Sequence, residues 1–114
     1  MDDMRVIVSV FVLLAGQALA QDWQPLRGDT AIIDALADRT VEYDAHTFQR
    51  FGAAGDTQFV TERLSEGRWA VRGGQYCSVW PPSDIWACYD VQVSNDEVRF
   101  IGSDRSISQG QYRD

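Results

Sequence analysis

Cys77 and Cys88 are the two cysteines of the chain, eleven residues apart, and their setting restricts the fold more than any other feature. Just upstream, Arg68-Trp69-Ala70-Val71-Arg72 alternates in polarity and stops at Gly73-Gly74. Both central positions of a type I′ turn take positive φ, so the two glycines predict a two-residue hairpin loop. Pairing Arg72 with Gln75 across that loop sets Ala70 opposite Cys77. Folding the next hairpin about Pro81-Pro82-Ser83-Asp84 sets Trp80 opposite Ile85, Val79 opposite Trp86 and Cys77 opposite Cys88. Directly opposed residues have Cβ atoms about 4.5–5.5 Å apart, which a disulfide bridges with slight adjustment. The register that centres a loop on the two prolines therefore also joins the cysteines. A Cys77–Cys88 disulfide is expected, and closing its loop contributes roughly 3 kcal/mol in the chain-entropy account.

Other readings of the cysteines fit worse. A redox centre of the thioredoxin kind needs Cys-x-x-Cys at a helix start. A structural zinc site needs about four ligands, and two cysteines with the lone His46 do not supply them. No metal site is expected. A bracketed Ser-x-Pro-Pro loop resembles the reactive loop of Bowman–Birk protease inhibitors, but two residues separate Ser78 from Pro81 and no basic residue precedes Ser78.

The rest of the chain reads as one helix and a meander. Asp29 or Thr30 can cap a helix at about residues 30–38, with Ile32, Ile33 and Leu36 on one face. That reading makes Arg27-Gly28-Asp29 a helix start rather than a cell-adhesion tripeptide. The period then changes to two: strands are expected at Thr40–Tyr43, Phe48–Phe51, Thr57–Arg63, Arg68–Arg72, Gln75–Trp80, Ile85–Val93 and Val98–Ile101. Turns fall at Asp44–Thr47, Gly52–Asp56, Ser65–Gly67 and Ser94–Glu97. Residues 102–114 are polar, with Tyr112 adding at most a last half-strand. The fold class is mostly β or α+β, about seven antiparallel strands curling into a small barrel or half-barrel, since closure removes exposed edges. Ile32, Ile33, Leu36, Val41, Phe51, Phe59, Trp69, Val71, Tyr76, Tyr89, Val91 and Phe100 are the expected core.

The N-terminus assigns a compartment. An apolar run from Val6 to Ala15 leads to Ala18-Leu19-Ala20, the small-x-small pattern of signal peptidase sites. It is well short of the roughly 20 apolar residues that span a membrane. Asp2 and Asp3 are foreign to a signal sequence, so translation from Met4 is an alternative to Met1. Residues 1–20 are read as a signal peptide cleaved after Ala20, and residues 21–114 as a single β-rich domain, periplasmic or extracellular. No stable membrane anchor is expected. The whole chain has ten arginines, no lysine and seventeen carboxylates; without Arg5, Asp2 and Asp3 the domain keeps nine and fifteen, a net charge of −6. Such a balance argues against a nucleic-acid partner, which needs a basic face. Positive charge carried by arginine alone favours planar and aromatic-stacked contacts.

Gly67-x-Trp69, Gly74-Gln75-Tyr76-Cys77, Trp80, Cys88-x-x-Val91 and Val98-x-Phe100 together resemble short exported bacterial proteins of unknown function, sometimes named dihydrodipicolinate reductase by automated means. The resemblance covers about residues 60–101 and implies a disulfide-stapled, Trp-rich meander rather than an activity. The reductase name lacks residues to support it: no Gly-x-Gly-x-x-Gly follows a strand to cradle a dinucleotide. Asp34 and Asp38, one helical turn apart, read as exposed carboxylates, and His46 as a solvated turn residue. No catalytic motif and no cofactor are expected. The functional expectation is a binding or interaction module, its contact surface the stapled tip at Trp80, Pro81, Pro82 and Trp86, with a protein partner in the cell envelope. Aromatic side chains on a rigid loop suit such a role. The alternatives are a small-ligand site in the barrel mouth, lined by Tyr43, Trp69 and Tyr89, tryptophans folded back over the barrel end, or a purely structural envelope role.

Overall fold

A computed structural model describes residues 21–113. The apolar run from Val6 to Ala15, the cleavage position after Ala20 and both candidate start methionines lie outside the described residues. The elements are β1 (Gln24–Pro25), α1 (Asp29–Leu36), β2 (Arg39–Asp44), β3 (Thr47–Phe51), β4 (Asp56–Val60), β5 (Leu64–Arg72), β6 (Gln75–Val79), β7 (Ala87–Ser94), β8 (Glu97–Ile101) and β9 (Ile107–Tyr112). Strands β2 to β9 pair antiparallel in sequence order. β9 then pairs with β2 through Val41↔Tyr112 and Glu42↔Gln111, closing an eight-stranded barrel. β1 adds a short segment to β7 beside β6, through Gln24↔Val93 and Pro25↔Gln92.

The hairpin register follows from the Gly73-Gly74 turn as expected. Both glycines take positive φ, 57° and 77°. Arg72 pairs with Gln75, Ala70 with Cys77 and Cys77 with Cys88. The ladder between β6 and β7 ends at Ser78↔Ala87, so the Val79–Trp86 and Trp80–Ile85 pairs are absent from the described ladder and the loop is wider than a tight hairpin. Two other boundaries differ from expectation. β4 stops at Val60, and the turn falls at 61–63 rather than at Ser65–Gly67, because the Thr61 amide donates to Arg63 O and the Arg63 amide back to Thr61 Oγ1. Gly67 accordingly sits inside β5, opposite Thr57. The polar C-terminal stretch forms a full strand, β9.

α1 closes one end of the barrel. It contacts β2, β5 and β6, and the Tyr112 hydroxyl of β9 donates to Ala35 O at 2.9 Å. Asp29 does not cap its own helix: Gly28 is the N-cap residue, and the Asp29 carboxylate accepts the Gly74 amide at 2.7 Å, tying the helix to the β5–β6 turn. Ile32 and Leu36, one turn apart, are fully buried, whereas Ile33 points away and is 44% exposed. A helix lying on a barrel end buries a narrow stripe, so the residue 100° round from Ile32 falls outside it. Beneath the helix Val41, Phe51, Trp69, Val91 and Val98 form the core. Phe51 is at its centre, with Trp69 and Tyr76 edge-on at 5.7 and 5.6 Å and Phe100 at 6.0 Å. The indole of Trp69 donates to Gly52 O at 2.8 Å, which satisfies its one polar atom inside the core.

Arginines lie over aromatic rings: Arg39 on Tyr112 beside the helix, and Arg72 on Trp86, Arg99 on Trp23 and Arg113 on Phe48, at 3.8–4.5 Å from guanidinium carbon to ring centre. These are the stacked contacts that guanidinium favours over ammonium.

Candidate functional site

The β2–β3, β4–β5, β6–β7 and β8–β9 turns all lie at the end opposite the helix, as sequential antiparallel pairing requires. No helix covers that end among the described residues. It opens into a cavity of about 610 Å³, within the range of small-molecule sites. Its wall is an arc of rings, Tyr43, Phe59, Trp80, Tyr76, Tyr89 and Phe100. Tyr43 touches Phe59 at 6.0 Å between ring centres, Phe59 meets Trp80 at 6.1 Å, and Tyr76 stacks on Tyr89 at 5.8 Å. Thr47, Ser65, Ser78, Ser108 and the amides of Gln49 and Gln109 supply the polar lining, and none of the described lining residues carries a charge.

The cavity floor is a hydrogen-bond network around Gln49, which is 4% exposed. The Tyr43 hydroxyl donates to Gln49 Oε1 at 2.8 Å, and Gln49 Nε2 donates to Thr57 Oγ1 and to the Tyr76 hydroxyl, both at 3.0 Å. Thr57 passes its own proton to Arg50 O at 2.7 Å. Both amide protons and the carbonyl of Gln49 are thereby used. Burial pushes the Tyr43 phenol far above its ordinary value, with smaller contributions from Tyr76 and Tyr89. Burial also raises the Tyr76 phenol, against hydrogen bonds with Ser78 and Gln49 that lower it. Both phenols are neutral at physiological pH, and neither is poised for proton transfer.

Trp80 is the expected site residue that reaches the cavity. It follows the end of β6, lines the cavity and packs against Gly67. A Cβ at Gly67 would come within 2.6 Å of both the indole and Val79 O, so the glycine provides the room the ring occupies. Pro81 and Pro82 stay exposed at the tip, where the Ser83 amide donates to Trp80 O. Trp86 turns to the outer wall, partly buried beneath Arg72, away from Trp80. The tip thus splits into one inward and one outward tryptophan. Cys77 and Cys88 form the disulfide, S–S 2.07 Å, on the strands that carry Trp80 and Tyr89. Of the rings expected at a barrel-mouth site, Tyr43 and Tyr89 line it, whereas Trp69 belongs to the core at the helix end.

Sequence reasoning overlooked Phe59, Ser65, Gln49 and Ser108 as lining residues. Alternation placed Phe59 inward, but only barrel closure sets it beside Tyr43 and Trp80. His46 sits in the β2–β3 turn, where its amide donates to Asp44 at 2.8 Å and holds that carboxyl below its ordinary value. Among the described residues no cluster of three or more His, Cys, Asp or Glu could hold a metal ion, and no helix is long and apolar enough to cross a membrane.

Comparison with protein-family models, curated proteins and solved structures finds no match. The resemblance to short exported bacterial proteins therefore reduces to its physical content, a disulfide and an aromatic cluster in a small barrel. The disulfide itself points to an oxidising, extracytoplasmic setting.

Proposed function

We propose that this protein is a small-ligand-binding barrel of the cell envelope, which holds its ligand at the open end against Tyr43, Phe59, Trp80 and Tyr89. One observation carries the reading: the barrel is filled solidly beneath α1, yet leaves an uncharged, ring-lined cavity of about 610 Å³ at the other end. Aromatic surface left open to water forgoes burial energy that closure by another loop would recover. A site lined mainly by rings with a few neutral polar groups suits binding, and the absence of an activated nucleophile or proton-transfer pair among its lining residues argues for binding rather than catalysis.

The test is nuclear magnetic resonance of the isotopically labelled domain against a fragment library. Resonances of Tyr43, Phe59, Trp80, Tyr89 and Ser108 are expected to move together. Shifts confined to Arg72 and Trp86 on the outer wall would defeat the mouth as the site. A second reading, contact with a protein partner through Pro81, Pro82 and the loop beyond, is favoured by Ile85, 77% exposed at the stapled tip. It predicts a partner lost with Ile85→Ser while cavity binding stays intact.

Export with cleavage after Ala20 to the periplasm or exterior completes the proposal, supported by the Val6–Ala20 pattern and by the disulfide. Intact mass of the native protein checks it; a mass that retains residues 1–20 would count against it.

A further inference from the structure

Resting on the reading of the open end as the binding site, we infer that its ligand is an uncharged lipophilic compound with a planar ring, carrying at most one or two polar groups at its outer edge. Three observations point to this class. First, the lining offers no charge of either sign. An ion entering the ring-lined cavity would lose water without meeting a counter-charge, which disfavours anions and cations alike. Glu42, Asp44 and Glu97 line a separate depression beside Tyr43, outside the ring-lined space. They attract cations to the surface but do not reach one inside.

Second, most of the hydrogen-bonding capacity at the floor is used internally. Tyr43 and Thr57 donate to Gln49 Oε1 and Arg50 O, and both amide protons of Gln49 go to Thr57 and Tyr76. A saccharide brings many hydroxyls, each of which costs free energy when buried without a partner. The deep half of the cavity offers such a ligand ring faces and already-bonded groups. Outside that network the lining holds the hydroxyls of Ser65 and Ser108 and the amide of Gln109, which suit one or two polar substituents. Third, the rings form a continuous arc from Tyr43 through Phe59 and Trp80, with Tyr76, Tyr89 and Phe100 completing the wall. Such a wall accepts a flat ring by offset-stacked or edge-to-face contact.

The experiment uses the domain with its disulfide intact and four probes: N-phenyl-1-naphthylamine, its sulfonated relative 8-anilinonaphthalene-1-sulfonate, phenyltrimethylammonium and methyl glucoside. The neutral naphthylamine should fluoresce on binding, and about tenfold or more tighter than the sulfonate. The other two should fail to displace it. Ser65→Trp and Ser108→Trp, on β5 and β9, each fill the mouth and should abolish the signal, while Trp86→Ala on the outer wall should leave it. Circular dichroism checks that the filling variants fold, and either one suffices. If the sulfonate, the ammonium or the glucoside binds as well as the naphthylamine, and Ser65→Trp or Ser108→Trp blocks it, the ligand class is wrong while the mouth remains the site. If no probe responds to either filling variant, the mouth reading falls and the ligand class with it.

Discussion

The two ends of this barrel are built from the same residue types and reach opposite outcomes. At the helix end Phe51, Trp69 and Val98 meet side chains on every side, and Ile32 and Leu36 close the layer above them. At the open end Tyr43, Phe59 and Trp80 touch in a row and Tyr89 stacks on Tyr76, but all of them also line the cavity. The helix makes the difference. An eight-residue segment tied down by Asp29 to Gly74 and by Tyr112 to Ala35 turns one set of rings into a core. The other end receives only the single indole of Trp80. The solid core and the open cavity are thus separated along the barrel axis, so under the proposed function stability and recognition can each be disturbed with limited effect on the other.

The largest expected effect tests that separation directly. Phe51→Ala removes a fully buried ring and should cost about 3–5 kcal/mol. For a domain of this size that lowers Tm by roughly 12 °C or more. Phe59→Ala, at the open end, should cost about 1 kcal/mol yet weaken binding in the cavity more than any change at the helix end. Equal stability losses from the two, measured by thermal melting, would break the comparison.

Next comes the staple. Cys77→Ser should destabilise the domain by about 3 kcal/mol in denaturant and leave Cys88 as a titratable thiol. The bond joins the middle of β6 to the start of β7 and brackets the loop that carries Trp80, so the loss should be accompanied by altered fluorescence of Trp80. Two titratable thiols in the native protein would remove the staple from the account.

The smallest effect is on the alkaline side. Folding raises the phenols of Tyr43 and Tyr76, so each favours the folded state while it is protonated. That stability is complete below about pH 10, the unfolded value. It is then lost as pH climbs toward the folded values, by at most about 1.4 kcal/mol per pH unit for each phenol. Tyrosinate absorbance of Tyr43→Phe and Tyr76→Phe against the parent chain checks this. Ionisation of both phenols near pH 10 without unfolding would show that water reaches the floor freely.

What residues 21–113 declare locally, the sequence determined by itself. Gly73-Gly74 set the register, because only a tight turn with two positive φ values joins those strands. That register in turn opposed Cys77 to Cys88, and period-two alternation marked Val41, Phe51, Trp69, Tyr76, Val91 and Phe100 as inward. Tertiary structure decided the rest. Ile107-Ser-Gln-Gly-Gln-Tyr112 has no apolar alternation, since its inward residues are Ser108 at the cavity, Gly110 where β2 comes close, and Tyr112 against the core. A Cβ on Gly110 would stand 2.6 Å from Glu42 O. A strand held by backbone hydrogen bonds to distant partners leaves little trace in side-chain pattern, so of the closing strand only a half-strand at Tyr112 was expected. Alternation also tells inward from outward but not one barrel end from the other. Trp69 and Trp80 look alike in sequence. Only closure of β9 on β2, with α1 across one end, made the first a core residue and the second a wall of the site.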